Sequence, residues 1–154
     1  MLRKSLFCLA GLLLLLSRQA YAANADDIVG VWLNEEKDAN IEVYKCADKY
    51  CGKIIWMQIP NYPADSTEGT PNTPKLDNLN PDAALKKTPR LGLTVIKDMG
   101  FLRDNRWDGG TVYDPKSGKT YSAQFTLTDP NSLELRGFVV IRLFGRTAHW
   151  TRKQ

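Results

Sequence analysis

From Ile28 onward the chain alternates apolar and polar residues in short runs separated by turn formers, and this period-two pattern restricts it to β-structure. The clearest run places Tyr121, Ala123, Phe125 and Leu127 on one face and Thr120, Ser122, Gln124 and Thr126 on the other, as in a sheet with one wet side. Asp114-Pro115-Lys116-Ser117-Gly118 before it and Asp129-Pro130-Asn131-Ser132 after it are turns, because proline presets φ while aspartate and asparagine hydrogen-bond their own backbone. Beyond the second turn, Leu133, Leu135, Gly137, Val139, Ile141 and Leu143 are expected to continue the inward register. A last strand follows Gly145, with Ala148, Trp150 and Arg152 on one parity. Upstream, Ile41 and Val43 alternate with Glu42 and Tyr44, Ala47-Asp48-Lys49-Tyr50 reverses the chain, and Cys51 to Met57 returns. Leu91 to Lys97 and Arg106 to Tyr113 supply further arms. About eight strands on short turns predict an all-β, antiparallel barrel, with a sandwich as the alternative. Closure is favoured because it leaves no exposed strand edge.

Two segments break the pattern. Gln58 to Lys75 carries Pro60, Pro63, Pro71 and Pro74, and each proline removes a ladder donor, so this is a long loop and not a central strand. Loops of that length serve a function or are plain insertions, and a lid over a barrel mouth is one such use. Asn80 to Lys87 is the one short helix expected: an N-cap residue, proline at the first helical position, an acid in the first turn, two lysines in the last and Thr88-Pro89 to stop it. So short a helix depends on docking, not on its own propensity.

The N-terminus reads as a secretory leader over residues 1–22. Arg3 and Lys4 precede an apolar run from Leu6 to Leu16, and Ala20-Tyr21-Ala22 is a small-x-small exit, with Ala23-Asn24-Ala25 a second site. The run is too short to cross a bilayer, which takes about 20 residues, so the chain is not expected to span a membrane. Cys8 lies inside the run and not at its end, which argues against lipid attachment. Of 21 basic residues, Arg3, Lys4 and Arg18 leave with the leader, so 18 face 17 acids and the mature chain is nearly neutral. That removes the support for a nucleic-acid partner. Residues 23–154 then suit one domain, and a periplasmic or secreted location follows.

The mature chain keeps Cys46 and Cys51. In an oxidising compartment a close, even pair points to a structural disulfide. A metal site would need further soft or imidazole ligands, and the one histidine, His149, is far along the chain; a redox pair would be expected as Cys-x-x-Cys. Neither a metal nor a cofactor is expected.

Gly30-Val31-Trp32, Cys51-Gly52-Lys53-Ile54-Ile55-Trp56, Asp77-Asn78-Leu79-Asn80-Pro81, Arg90-Leu91-Gly92-Leu93, Trp107 to Pro115, Gly118-Lys119-Thr120-Tyr121, Leu135-Arg136-Gly137, Gly145-Arg146-Thr147 and Trp150-Thr151-Arg152 resemble, in order, the exported bacterial proteins of domain-of-unknown-function family 2147 (DUF2147). The resemblance implies a calycin-like barrel similar to lipocalins and carries no assigned activity. In such barrels the first strand opens with Gly-x-Trp and a basic residue on the last strand covers the tryptophan; Gly30, Trp32 and Arg152 match those structural parts.

No catalytic residues are expected. One histidine cannot be shared out to a nucleophile set by sequence alone, and its parity opposes that of Trp150. Asp114 and Asp82 are explained by a turn and a helix start, Gly109-Gly110 by a bulge or a tight bend, and a calcium loop from Asp104, Asn105 and Asp108 lacks its glycine and distal glutamate. Aromatics are mostly core in small domains, but Trp56, Tyr113, Tyr121 and Phe125 are the candidates to line an apolar ligand site. The expectation is a non-catalytic barrel that binds a small apolar molecule or an envelope component. The alternatives are an interaction module for an envelope protein and, third, a carboxylate-based hydrolase.

Overall fold

The structure, a computed structural model, describes residues 23–154; the expected leader at 1–22 lies outside the described residues. The alternating runs form β1 (Gly30–Leu33), β2 (Ala39–Cys46), β3 (Lys49–Met57), β4 (Thr94–Arg103), β5 (Arg106–Asp114), β6 (Lys119–Asp129), β7 (Ser132–Phe138) and β8 (Arg146–Arg152). Each pairs antiparallel with its neighbour in the chain. β8 returns to β1 with Trp32 opposite Arg152 and Leu33 opposite Thr151, so the barrel closes and no edge is left for another chain to pair with. Among the described residues no helix is long and apolar enough to cross a membrane.

Because successive strands reverse, the connections alternate between two ends. The hairpins after β2, β4 and β6 gather at one end with the start of the described chain, and that end is sealed. A 3-10 turn, Ala25–Ile28, runs beneath it, with the Asn24 N–H donating to Asp27 Oδ2 at 2.8 Å. The Trp107 indole N–H donates to the Ala25 carbonyl at 3.0 Å and that of Trp32 to Ile28 at 2.9 Å, so two buried tryptophans tie the turn to the barrel. Ile28, Trp32, Met99, Trp107, Phe125 and Leu127 are fully buried and fill this half. The Cys46–Cys51 disulfide, with Cα atoms 5.8 Å apart, staples the tip of the β2–β3 hairpin there.

Two glycines are required by close approach. A Cβ on Gly110 would lie 2.5 Å from Met99 Sδ, and the pairing of β5 with β6 shifts between Trp107 and Gly110, where Gly109 has φ +77°. The glycine pair is therefore a β-bulge. At the start of β1, Gly30 has φ +138° and a Cβ there would meet Arg152 Nη1 at 2.5 Å.

The bounds of the elements differ from the sequence-based expectations in three places. Asn80 to Lys87 is not a helix. Asn80 Oδ1 accepts the Asp82 N–H and Asp82 Oδ1 the Ala84 N–H, both at 2.9 Å, and the remaining turns close between residues three apart, Asp82 to Leu85 and Leu85 to Thr88. The Asp82 side chain thus takes the Ala84 amide that a continuing helix would use, and Pro81 to Lys87 is exposed, with no docked apolar face to hold a helix. Among the described residues the helical content is instead two 3-10 turns, Ala25–Ile28 and Arg142–Phe144. Second, β7 ends at Phe138, and Val139, Ile141 and Leu143 do not continue inward: they are 63%, 48% and 77% exposed. Val140 adopts φ +67°, a left-handed conformation that a β-branched residue rarely takes, and it breaks the alternation. Third, Leu91 is exposed and β4 begins only at Thr94.

The excursion between β3 and β4 is organised around buried Tyr62. Its backbone bonds to Thr73 and Asn72 at 2.9 Å each, and its hydroxyl accepts the Leu76 N–H at 3.1 Å. Isolated bridges join Asn61 to Pro74 and Leu76 to Pro89.

Candidate functional site

The half of the barrel away from the sealed end is hollow. Its cavity of about 660 Å³ lies within the range of roughly 300–1,000 Å³ found for small-molecule sites. Ile41, Ile54, Leu135 and Ala148, the inward members of alternating strands, form an aliphatic wall with Val95, which lies where the pairing of β3 with β4 shifts register, and Trp150 forms the floor. Trp150 also touches Phe125, with ring centroids 6.2 Å apart, so the floor rests on the packed lower half.

Of the four aromatic candidates, Tyr113 and Tyr121 line this cavity; Trp56 and Phe125 do not. Trp56 is 43% exposed on the outer surface. Asn40 pairs with Trp56 but Ile41 pairs with Ile54, so Ile55 is an extra residue in β3. This bulge inverts the parity: Trp56 turns out, and Met57, which strict alternation would place outside, turns in to line the cavity. Phe125 has the inward parity but lies in the sealed core. At the other end of the barrel, Arg152 lies 4.2 Å from the centroid of the Trp32 ring, and its guanidinium donates to the carbonyls of Asp27, Val29 and Pro130 at 2.5, 2.8 and 2.7 Å.

The mouth is built from four loops, those after β1, β3, β5 and β7, and carries the charged residues that strand patterning does not reveal. Asn34, Glu36 and Asp38 come from the first, Lys75 and Arg90 from the long excursion, and Lys116 from the third, beside Asp114 at the end of β5. Val139 and Phe144 come from the last, beside Arg146 at the start of β8. Lys116 Nζ pairs with Asp38 Oδ2 at 2.6 Å, which joins two of these loops across the rim. Burial raises the Asp38 pKa, but hydrogen bonds from Lys116 and Asn34 more than offset this and hold its carboxyl below the ordinary value. Arg146 pairs with Glu35 at 3.0 Å.

Asp77 is fully buried beside the mouth. Its Oδ1 accepts the Tyr113 hydroxyl and its Oδ2 the Asn80 amide, both at 2.7 Å, and its N–H donates to Thr88 at 2.8 Å. Burial, followed by the bond to Asp77, pushes the Tyr113 phenol above its ordinary pKa. Tyr113 therefore offers the cavity its ring face while its hydroxyl anchors the excursion to the barrel.

A closed eight-stranded antiparallel barrel, sealed at one end and open at a loop-built mouth, is the lipocalin-like class of fold. It matches the solved structure titled "Protein HP1028 from the human pathogen Helicobacter pylori belongs to the lipocalin family", with a TM-score of 0.68 and 21% identity over 82% of each chain. The chain belongs to the family DUF2147, described as an uncharacterized protein conserved in bacteria, whose model matches residues 30–152. A search of curated proteins finds no match.

Proposed function

We propose that the protein is an exported, periplasmic or secreted binding protein that holds a small, largely apolar molecule or envelope component in the open half of its barrel, without catalysis. The observation that carries this reading is the cavity of about 660 Å³ with its aliphatic wall. An eight-stranded barrel can pack its interior solid, and this one does so only in its lower half. The lipocalin-like fold is compatible with ligand binding in general, and membership of a bacterial family together with the disulfide supports export. Ala148→Trp places an indole in the cavity and is expected to abolish uptake of an environment-sensitive apolar dye. Dye fluorescence and native mass spectrometry of protein purified from its host are the measurements; undiminished uptake in this variant would refute the site.

The second reading, an interaction module for an envelope protein, is favoured by one observation. Val139, Val140, Leu143 and Phe144 are 63%, 90%, 77% and 79% exposed in one loop beside the mouth, and clustered apolar surface of this kind marks contact sites. Serine at Val140 and Leu143 separates the two readings, since it would remove partner capture and leave dye uptake intact.

A further inference from the structure

The rim of the cavity is not electrically balanced residue by residue. Four cations line it, Lys75, Arg90, Lys116 and Arg146. Two are paired: Lys116 with Asp38 and Arg146 with Glu35. The acids at the rim are otherwise engaged, Glu36 by Asn34 at 3.1 Å, and Asp114 by Ser117 Oγ and the Lys116 N–H at 2.6 and 2.9 Å. Asp77 is held by Tyr113 and Asn80.

Among the described residues, Lys75 and Arg90 have no carboxylate within ion-pair distance, although Glu68 lines the same recess. The Arg90 N–H donates to the Lys75 carbonyl at 2.9 Å, which sets the two residues side by side on adjoining segments of the excursion. Arg90 Nε and Nη2 donate to the Leu76 carbonyl and to Asn78 Oδ1, at 3.0 and 3.4 Å. These neutral acceptors orient the guanidinium, whose charge also acts on Tyr113, the donor to Asp77. Lys75, Arg90 and Lys116 also line a second, more polar recess of about 430 Å³, shared with Glu68, Asn78 and Leu79. The cations thus stand where an apolar interior meets a polar chamber.

We propose that Lys75 and Arg90 form an anion-binding subsite at the mouth. The molecule taken up is then an amphiphile, with one aliphatic chain in the barrel and a carboxylate or phosphate head between these cations. This rests on the reading of the barrel as a binding site. An ionised head brought to a partly desolvated ammonium and guanidinium gains charge-assisted hydrogen bonds that an alcohol head lacks. An aliphatic chain alone would leave two unpaired cations at the edge of an apolar cavity.

The test is calorimetric titration of the mature protein with dodecanoate, dodecyl phosphate, dodecanol, acetate and inorganic phosphate, beside displacement of the apolar dye. Lys75→Gln, the double variant Lys75→Gln/Arg90→Gln, and Lys87→Gln as an exposed control are compared by thermal unfolding to verify folding. The Lys75 side chain makes no hydrogen bond or ion pair among the described residues, so its variant is expected to fold as wild type. Dodecanoate or dodecyl phosphate should bind roughly tenfold tighter than dodecanol, and Lys75→Gln should erase most of that margin without weakening dodecanol. Whichever of the two anions binds tighter identifies the head. Equal affinity for alcohol and anion overturns the subsite and leaves the apolar cavity standing. A margin that survives both variants overturns its assignment to these residues. Acetate or inorganic phosphate binding as tightly as the amphiphiles makes it a free-anion site and overturns the amphiphile. If neither dye nor amphiphile enters, the binding function itself fails.

Discussion

Tyr50 shows how a single contact at the sealed end carries a pH signature. Its hydroxyl donates to Asp26 Oδ1 at 2.5 Å, and Lys45 reaches the same oxygen at 3.2 Å. Burial, with the bond to Asp26 second, pushes the Tyr50 pKa from 10.0 up to about 12. The same hydroxyl, with Lys45, holds the Asp26 carboxyl below its ordinary value. A folded-state Tyr50 pKa above the unfolded one means that the Tyr50 contribution is whole below pH 10 and is lost as the pH rises through about 12, while that of Asp26, with its lowered pKa, is lost only in acid. Urea unfolding across that window should show stability falling in the wild type and falling less in Tyr50→Phe; identical profiles would remove the contact from the ledger. Such pairings are not visible in sequence, because Asp26 and Tyr50 meet only after the hairpin packs on the N-terminal turn. The fate of Trp56 and Met57 has a similar origin. Their composition favours the tryptophan as a ligand contact, but one extra residue in β3 exchanges their faces.

At the scale of elements, the β2–β3 hairpin was readable because its two arms alternate and its cysteines bracket a polar turn. Closure of the short Cys46–Cys51 loop restricts the unfolded chain by about 2 kcal/mol. Cys46→Ser with Cys51→Ser should lower the free energy of unfolding in urea by that amount and leave dye uptake unchanged, since the bridge lies at the end opposite the mouth. Unequal effects of the double variant and of reductant on the wild type would show that the serines act otherwise. The 80–87 segment was not readable in the same way. Its proline, acid and lysines satisfy every helix rule, but the signals are local and nothing in them states whether a surface is available to dock against. The β7–β8 connection misled for the opposite reason: Val139, Ile141 and Leu143 keep a perfect alternation that the left-handed backbone at Val140 interrupts.

For the whole molecule, closure depends on the shortest seam. β1 and β8 share few paired residues, and Arg152 reinforces them by covering Trp32 and binding the carbonyls of Asp27, Val29 and Pro130. Lysine keeps the charge but cannot reach three carbonyls with a planar fork, so Arg152→Lys should cost about 2 kcal/mol of stability. Denaturant unfolding measures it, and a change within error would show that the strand pairing alone holds the seam. The sequence by itself determined that the chain forms strands, which face of most strands is apolar, and where the hairpins turn, because periodicity and turn chemistry act between near neighbours. The close, even cysteine pair pointed to the disulfide, whereas Gly30, Trp32 and Arg152 stood out only through the resemblance to lipocalin-like barrels. Only the tertiary structure decided that the lower half of the barrel is filled and the upper half hollow, and that Lys75 and Arg90 meet at its mouth. The rim is assembled from four loops distant in the chain, and parity is switched by bulges that leave no mark on composition, so both exist only once the barrel has closed.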